Sequence, residues 1–118
     1  EGHGATYNPD RGQALSLVRV VDRLADAMAE VGRREARPAR LVVTSARDGD
    51  DALGFRELRD LLAAGEPVLL ALGTAWGLAP ECMAAADHRL HPIRGAGEYN
   101  HLSVRSAAAI MLDRLLGP

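Results

Sequence analysis

Pro67-Val-Leu-Leu-Ala-Leu-Gly-Thr-Ala-Trp-Gly-Leu-Ala-Pro-Glu81 carries the reading on which the fold turns. Val68 to Leu72 is continuously apolar, the pattern of a short strand covered on both faces. Gly73 and Gly77 bracket the loop that follows, and Pro80 suits the first turn of a helix over roughly Pro80 to Ala86. A strand, a glycine-bearing loop and a helix in direct succession form the unit from which α/β domains are assembled.

The flanking sequence repeats that alternation. Upstream, Phe55, Leu58, Leu61 and Leu62 fall at helical spacing, with Gly65 as a stop and Pro67 opening the strand. Before them, Leu41 to Ser45 is a β-branched run that leads into the turn-rich Arg47-Asp-Gly-Asp-Asp51. Between residues 11 and 35, Ala14, Leu15, Leu17, Val18, Val21, Leu24, Ala25, Met28 and Val31 lie near a 3.6-residue period, which predicts one long amphipathic helix ended around Gly32 and Pro38. Downstream, His88 to Ile93 reads as a strand, residues 95 to 100 as a loop, and His101 to Leu116 as a helix stopped by Gly117. The expected fold is a single α/β domain over residues 1–118, with a parallel sheet and helices on both faces. Three strands make a thin sheet and the sequence opens at Glu1 without Met, so the domain's N-terminal strands are expected to be missing from this chain.

Composition narrows the function. Aromatic residues make up 3% of the 118 residues, so the core rests on Leu, Val, Ala and Ile, and an RNA-binding sheet studded with aromatics is disfavoured. The net charge of −2 provides no strong nonspecific attraction to nucleic acid. All 14 basic residues are Arg, the side chain that makes forked contacts with phosphate and carboxylate. Cys82 is the single cysteine, which excludes an internal disulfide and any multi-cysteine zinc site within the chain; it reads as a small buried core residue. No apolar run approaches the length of a membrane span and no secretory signal opens the chain, so a cytoplasmic protein is expected.

Ligands of open parallel sheets bind beyond the carboxyl ends of the strands. Three strand-exit loops here have unusual composition: Thr44-Ser-Ala-Arg47, Gly73 to Leu78, and Ile93-Arg-Gly-Ala-Gly-Glu-Tyr-Asn100. Their glycines allow backbone groups to approach a ligand, although each also serves as an ordinary turn residue. There is no GxGxxG fingerprint and no GxxxxGK[ST] loop, which removes support for Rossmann cofactors and P-loop nucleotides. Gly73-Thr-Ala-Trp-Gly77 has the outline of a nucleophile elbow without its Ser, which disfavours a hydrolase. His88 and His91, three apart in a strand, point to opposite faces and suit no shared metal. Asn100 is a natural helix cap. Arg105 sits in the first turns of a helix, where the dipole disfavours a cation unless a carboxylate or phosphate answers it.

The run from Pro67 to Glu81, together with His91-Pro-Ile-Arg-Gly-Ala-Gly-Glu-Tyr-Asn-His-Leu-Ser-Val-Arg-Ser-Ala107 and the helix after it, closely resembles predicted S-adenosylmethionine-dependent RNA methyltransferases of the SPOUT superfamily. The branch in question occurs alone or fused behind a tRNA (guanine-N1-)-methyltransferase domain. The resemblance reaches upstream through Thr44-Ser-Ala-Arg47 to Tyr7-Asn-Pro9 and covers essentially the whole chain. It implies a C-terminal trefoil knot, a feature nearly absent from other proteins. It also implies a homodimer through the last helix, RNA and in particular tRNA as partner, and S-adenosylmethionine as cofactor. The implied cofactor contacts are Thr44, Ser45 and Ala46; Leu72, Gly73, Thr74 and Gly77; and Ile93, Gly95, Tyr99, Asn100 and Leu102. Leu72, Ile93 and Leu102 would flank the adenine.

For methyl transfer to a hydroxyl or base atom, Arg105 is the expected holder of phosphate or acceptor, with Asn100 and Ser103 positioning it and His101 as a lesser candidate for proton transfer. The better-studied 2′-O-ribose methyltransferases have Leu-Asn-Val-Ser where this chain has Leu102-Ser-Val-Arg105, and their N-terminal motif with a catalytic Arg has no counterpart here. Two further readings therefore stand beside the enzyme: a catalytically inactive cofactor- or RNA-binding module of a fused tRNA methyltransferase, and a small structural module without cofactor.

Overall fold

The computed structural model describes residues 9–45, 51–74, 76–94 and 102–118. Its elements, in chain order, are α1 (Pro9–Leu15), α2 (Leu24–Glu35), β1 (Arg40–Thr44), α3 (Phe55–Ala63), β2 (Val68–Ala71), α4 (Pro80–Ala85), β3 (His88–Leu90) and α5 (Val104–Leu116). Among the described residues the strands form one parallel sheet in the order β2-β1-β3. The α/β class and the parallel sheet are as the sequence predicts.

β1 is central because its neighbours lie on both sides: Leu41 pairs with Leu69 of β2, and Val43 pairs with Arg89 of β3. Leu41, Val42 and Val43 are accordingly buried. β2 is as apolar as β1 but stands at the edge of the described sheet, and its residues are only half-buried. The expectation of a strand covered on both faces thus belongs to β1. Asp87 fixes the start of β3 against β1, its Oδ2 accepting from Leu41 N at 2.7 Å and its own N donating to Leu41 O at 2.8 Å.

β3 ends at Leu90, short of the predicted Ile93. Pro92 has no N–H to extend a ladder. His91 N instead donates to Leu53 O, while Leu53 N donates to Arg89 O. The chain returning from the β1 exit loop is thereby pinned along the free side of β3.

The long helix predicted over residues 11–35 is two helices, α1 and α2, broken at 16–23. Periodicity marks where apolar side chains would lie if the segment were helical; it does not supply a surface to bury them. Here Leu17 and Val20 are 78% and 94% exposed, and no residue of α2 is fully buried. Without that burial, local preferences decide the outcome. Ser16 Oγ donates to Gln13 O at 2.6 Å, and the β-branched Val18, Val20 and Val21 follow. Cys82 is likewise half-buried on α4 rather than a core residue.

The core comprises Val42, Leu58, Leu90, Ile93, Met111 and Leu115. It is closed by α3 packing on α5. Glu57 Oε1 accepts from Gly54 N at the start of α3, and Leu58 points inward, fully buried. Arg59 reaches across to the far end of α5, donating to the carbonyls of Arg114 and Gly117 at 2.6 and 2.8 Å, where the helix dipole favours a cation. Arg114 in turn lies 4.9 Å over the Phe55 ring. These contacts fix α5 with its N-terminus toward the strand exits.

Two predictions follow from the frame. Ala36, which ends α2, is a non-glycine residue at φ 57°, a left-handed conformation costing an L-residue about 1 kcal/mol. Ala36→Gly is expected to stabilise the protein by about 0.5–1 kcal/mol, read from urea midpoints. Glu66 bridges Arg40 and Arg37 at 3.1 and 2.9 Å, and the hydrogen bond from Arg40 leads in holding its carboxyl below the ordinary value. A lowered folded-state pKa gives stability that is present above the unfolded pKa, near 4.5, and lost as pH falls through the folded one. Glu66→Gln should therefore lower the urea midpoint at pH 7, and the difference from wild type should shrink on acidification below about pH 4.5.

Candidate functional site

Because all three strands run the same way, their carboxyl ends open on one edge of the sheet, and a cavity of about 780 Å³ lies there. Thr44 and Ser45 border it from β1, and Leu72, Gly73 and Thr74 from β2. The turn beyond β2 contributes Trp76, Gly77 and Leu78, the exit of β3 contributes Pro92 and Ile93, and the start of α5 closes the ring with Leu102, Ser103 and Val104. The volume falls in the range of small-molecule sites, and an apolar wall with a few hydroxyls is their usual composition.

Local structure sets each wall. Thr44 Oγ1 donates to Ala71 O at 3.0 Å, tying the ends of β1 and β2 together at the floor. The loop after β2 folds into a turn in which Gly77 N donates to Thr74 O at 2.9 Å and Trp76 N donates to Thr74 Oγ1 at 3.3 Å. Gly77 takes φ +84°, which favours glycine. At Gly73 the requirement is one of space: a Cβ there would lie 2.5 Å from Gly77 C and 2.7 Å from Leu78 N. These two glycines shape the turn whatever the cavity holds.

The cavity therefore brings together nine of the residues the sequence singled out: Thr44, Ser45, Leu72, Gly73, Thr74, Gly77, Ile93, Leu102 and Ser103. Ala46, Gly95, Tyr99 and Asn100, and with them His101, lie outside the described residues. Arg105 is exposed at the start of α5 and does not border the cavity; the carboxylate that its position invites is absent among the described residues. Capping of α5 belongs to Ser103, whose Oγ accepts from Ser106 N at 3.1 Å. The helix consequently begins at Val104, three residues later than predicted.

Arg89 and Trp76 are the residues that sequence reasoning missed. Arg89 is the one charged side chain on the wall among the described residues, and its Nη2 donates to Asp51 Oδ1 at 3.0 Å. That hydrogen bond is the leading cause holding the Asp51 carboxyl below its ordinary range. Nothing in His88-Arg-Leu90 marks a site residue; an Arg inside a strand becomes one only through the strand order. Met83, Ala107 and Met111 complete the wall from α4 and α5.

The sequence model of a family described as "SAM-dependent RNA methyltransferase" matches residues 1–117. The chain belongs to this family. Among curated proteins it is 47% identical over 117 residues to the tRNA (guanine-N(1)-)-methyltransferase of Oleidesulfovibrio alaskensis and 44% identical over 116 residues to that of Nitratidesulfovibrio vulgaris, covering 99% and 98% of this chain. It is 37% identical over 113 residues, 95% of its length, to an uncharacterised protein of Aquifex aeolicus. The chain spans 27% of each of the first two relatives and 55% of the third.

If Gly73 is needed for the approach of the turn to the strand end, Gly73→Ala should lower the unfolding midpoint and abolish ligand binding at the cavity together. Thermal unfolding and ligand titration of wild type and the variant check this.

Proposed function

We propose that this chain forms the cofactor cradle of an S-adenosylmethionine-dependent RNA methyltransferase that methylates a ribose hydroxyl or a base atom of RNA, in particular tRNA. The observation that carries the reading is the convergence of all three strand exits and the start of the last helix on one cavity, in a chain of this family. The wall suits the cofactor. Leu72, Ile93 and Leu102 supply apolar surface for an adenine, the hydroxyls of Thr44, Ser45 and Thr74 supply polar partners, and Arg89 supplies a cation suited to a carboxylate. Ala46, Gly95, Tyr99 and Asn100 complete the proposed cradle.

When bound, S-adenosylmethionine supplies an electrophilic methyl group, and alignment of the RNA acceptor is the protein's part. Arg105, exposed and without a described partner, holds a phosphate at the rim. Asn100 and Ser103 position the acceptor. Ser103 borders the cavity while its hydroxyl bonds Ser106. The reading includes a SPOUT fold, with helices on both faces of the sheet and the last helix threaded in a trefoil knot, and a cytoplasmic site of action. It also includes a homodimer through α5, whose Leu112 and Leu116, one turn apart, are 52% and 68% exposed and offer an apolar strip to a second copy.

The two relatives named tRNA (guanine-N(1)-)-methyltransferase are matched over 27% of their length, which favours a second reading as an accessory cofactor- or RNA-binding module of a larger enzyme.

Calorimetric titration of S-adenosylmethionine and S-adenosylhomocysteine into the full-length protein tests the cradle. Wild type is expected to bind both. Ala107→Leu, which adds bulk to the α5 wall, should weaken binding at least about tenfold, or 1.4 kcal/mol. No binding by wild type would sink the reading. Transfer of a labelled methyl group to unmodified tRNA then separates the enzyme from the accessory module, which would bind the cofactor and transfer nothing.

A further inference from the structure

Trp76 is the single tryptophan of the chain, and it is 96% exposed. Tryptophan is highly buried on average, because its indole is among the largest apolar groups a protein can withdraw from water. This one is held out in solvent by a defined local structure. The turn from Thr74 to Gly77 is closed by its own hydrogen bonds, seated by the close backbone approach at Gly73, and allowed by the positive φ of Gly77. Trp76 also borders the cavity. A side chain with only two rotatable bonds, on a turn built this tightly, loses little freedom when a flat partner covers it.

We propose that Trp76 is a stacking platform for an unpaired base of the RNA substrate, placing a nucleotide at the mouth of the cavity. The inference rests on the reading of the chain as the cradle of an RNA methyltransferase and adds a contact for the substrate. A base is the occupant that fits. Single-stranded RNA is recognised largely by stacking its bases on aromatic side chains, and that contact needs no net positive charge on the protein. The net charge of −2 provides no strong nonspecific attraction to RNA, which leaves more of the affinity to such contacts. Stacking is tolerant of base identity, so Trp76 contributes affinity and position rather than sequence choice.

The experiment uses the full-length protein at low salt in saturating S-adenosylhomocysteine, with a labelled single-stranded RNA of mixed sequence as probe. Wild type should bind the RNA by anisotropy, and tryptophan emission should be quenched on binding. In Trp76→Phe the quench should shrink while most of the affinity remains. In Trp76→Ala affinity for RNA should fall about tenfold while the affinity for S-adenosylhomocysteine stays within about twofold. Equal RNA affinity in wild type and Trp76→Ala, or no RNA binding by wild type, would overturn the proposal. So would a parallel loss of S-adenosylhomocysteine affinity, which would make Trp76 a cover for the cofactor, or a fall in molecular mass of Trp76→Ala in sedimentation, which would make it a subunit contact. Failure of wild type to bind S-adenosylhomocysteine at all would instead remove the cradle reading beneath it.

Discussion

Parallel pairing of β1 with a strand on each side is the constraint on which the rest depends. A parallel pair cannot be joined by a tight turn, so each connection must cross over, and every strand delivers its carboxyl end to the same edge. The connection after β2 has the further task of carrying the chain past β1 to its far side. Three segments far apart in sequence then meet within one small-molecule-sized space. α5 completes that space, since its packing on α3 and the hold of Arg59 on its last carbonyls turn its first residues toward the strand exits.

Structure and site are coupled through the same residues. Thr44, whose hydroxyl ties β1 to β2, borders the cavity, Gly73 is required by the backbone that turns over it, and Ser103, whose hydroxyl caps α5, borders the cavity as well. Trp76 and Arg105 differ from them: both are exposed, and neither packs against the core.

The β1 and β2 runs, the helix at Phe55 and the Ala-rich final helix were legible because each has one dominant local signal, whether an apolar run, helical spacing or a capping residue. The segment over residues 11–35 was misread for a physical reason. Its periodicity is genuine, but a helix of that kind is stabilised by burying its stripe, and residues 16–23 meet no such surface. β3 is shorter than the apolar pattern of residues 88–93 predicts because Pro92 cannot donate to the ladder.

From its sequence alone the chain determines an α/β architecture, the glycine-bearing strand exits and, through long low-degeneracy motifs, its resemblance to the RNA methyltransferases, because each of these is written in contiguous residues. Tertiary structure alone decided which strand is central, that Arg89 faces the same cavity as Leu72 and Leu102, and that Trp76 stands in water while Arg105 lies off the wall. Those outcomes depend on strand order and on how helices pack over the sheet. Such relations join residues tens of positions apart, and no local pattern encodes them.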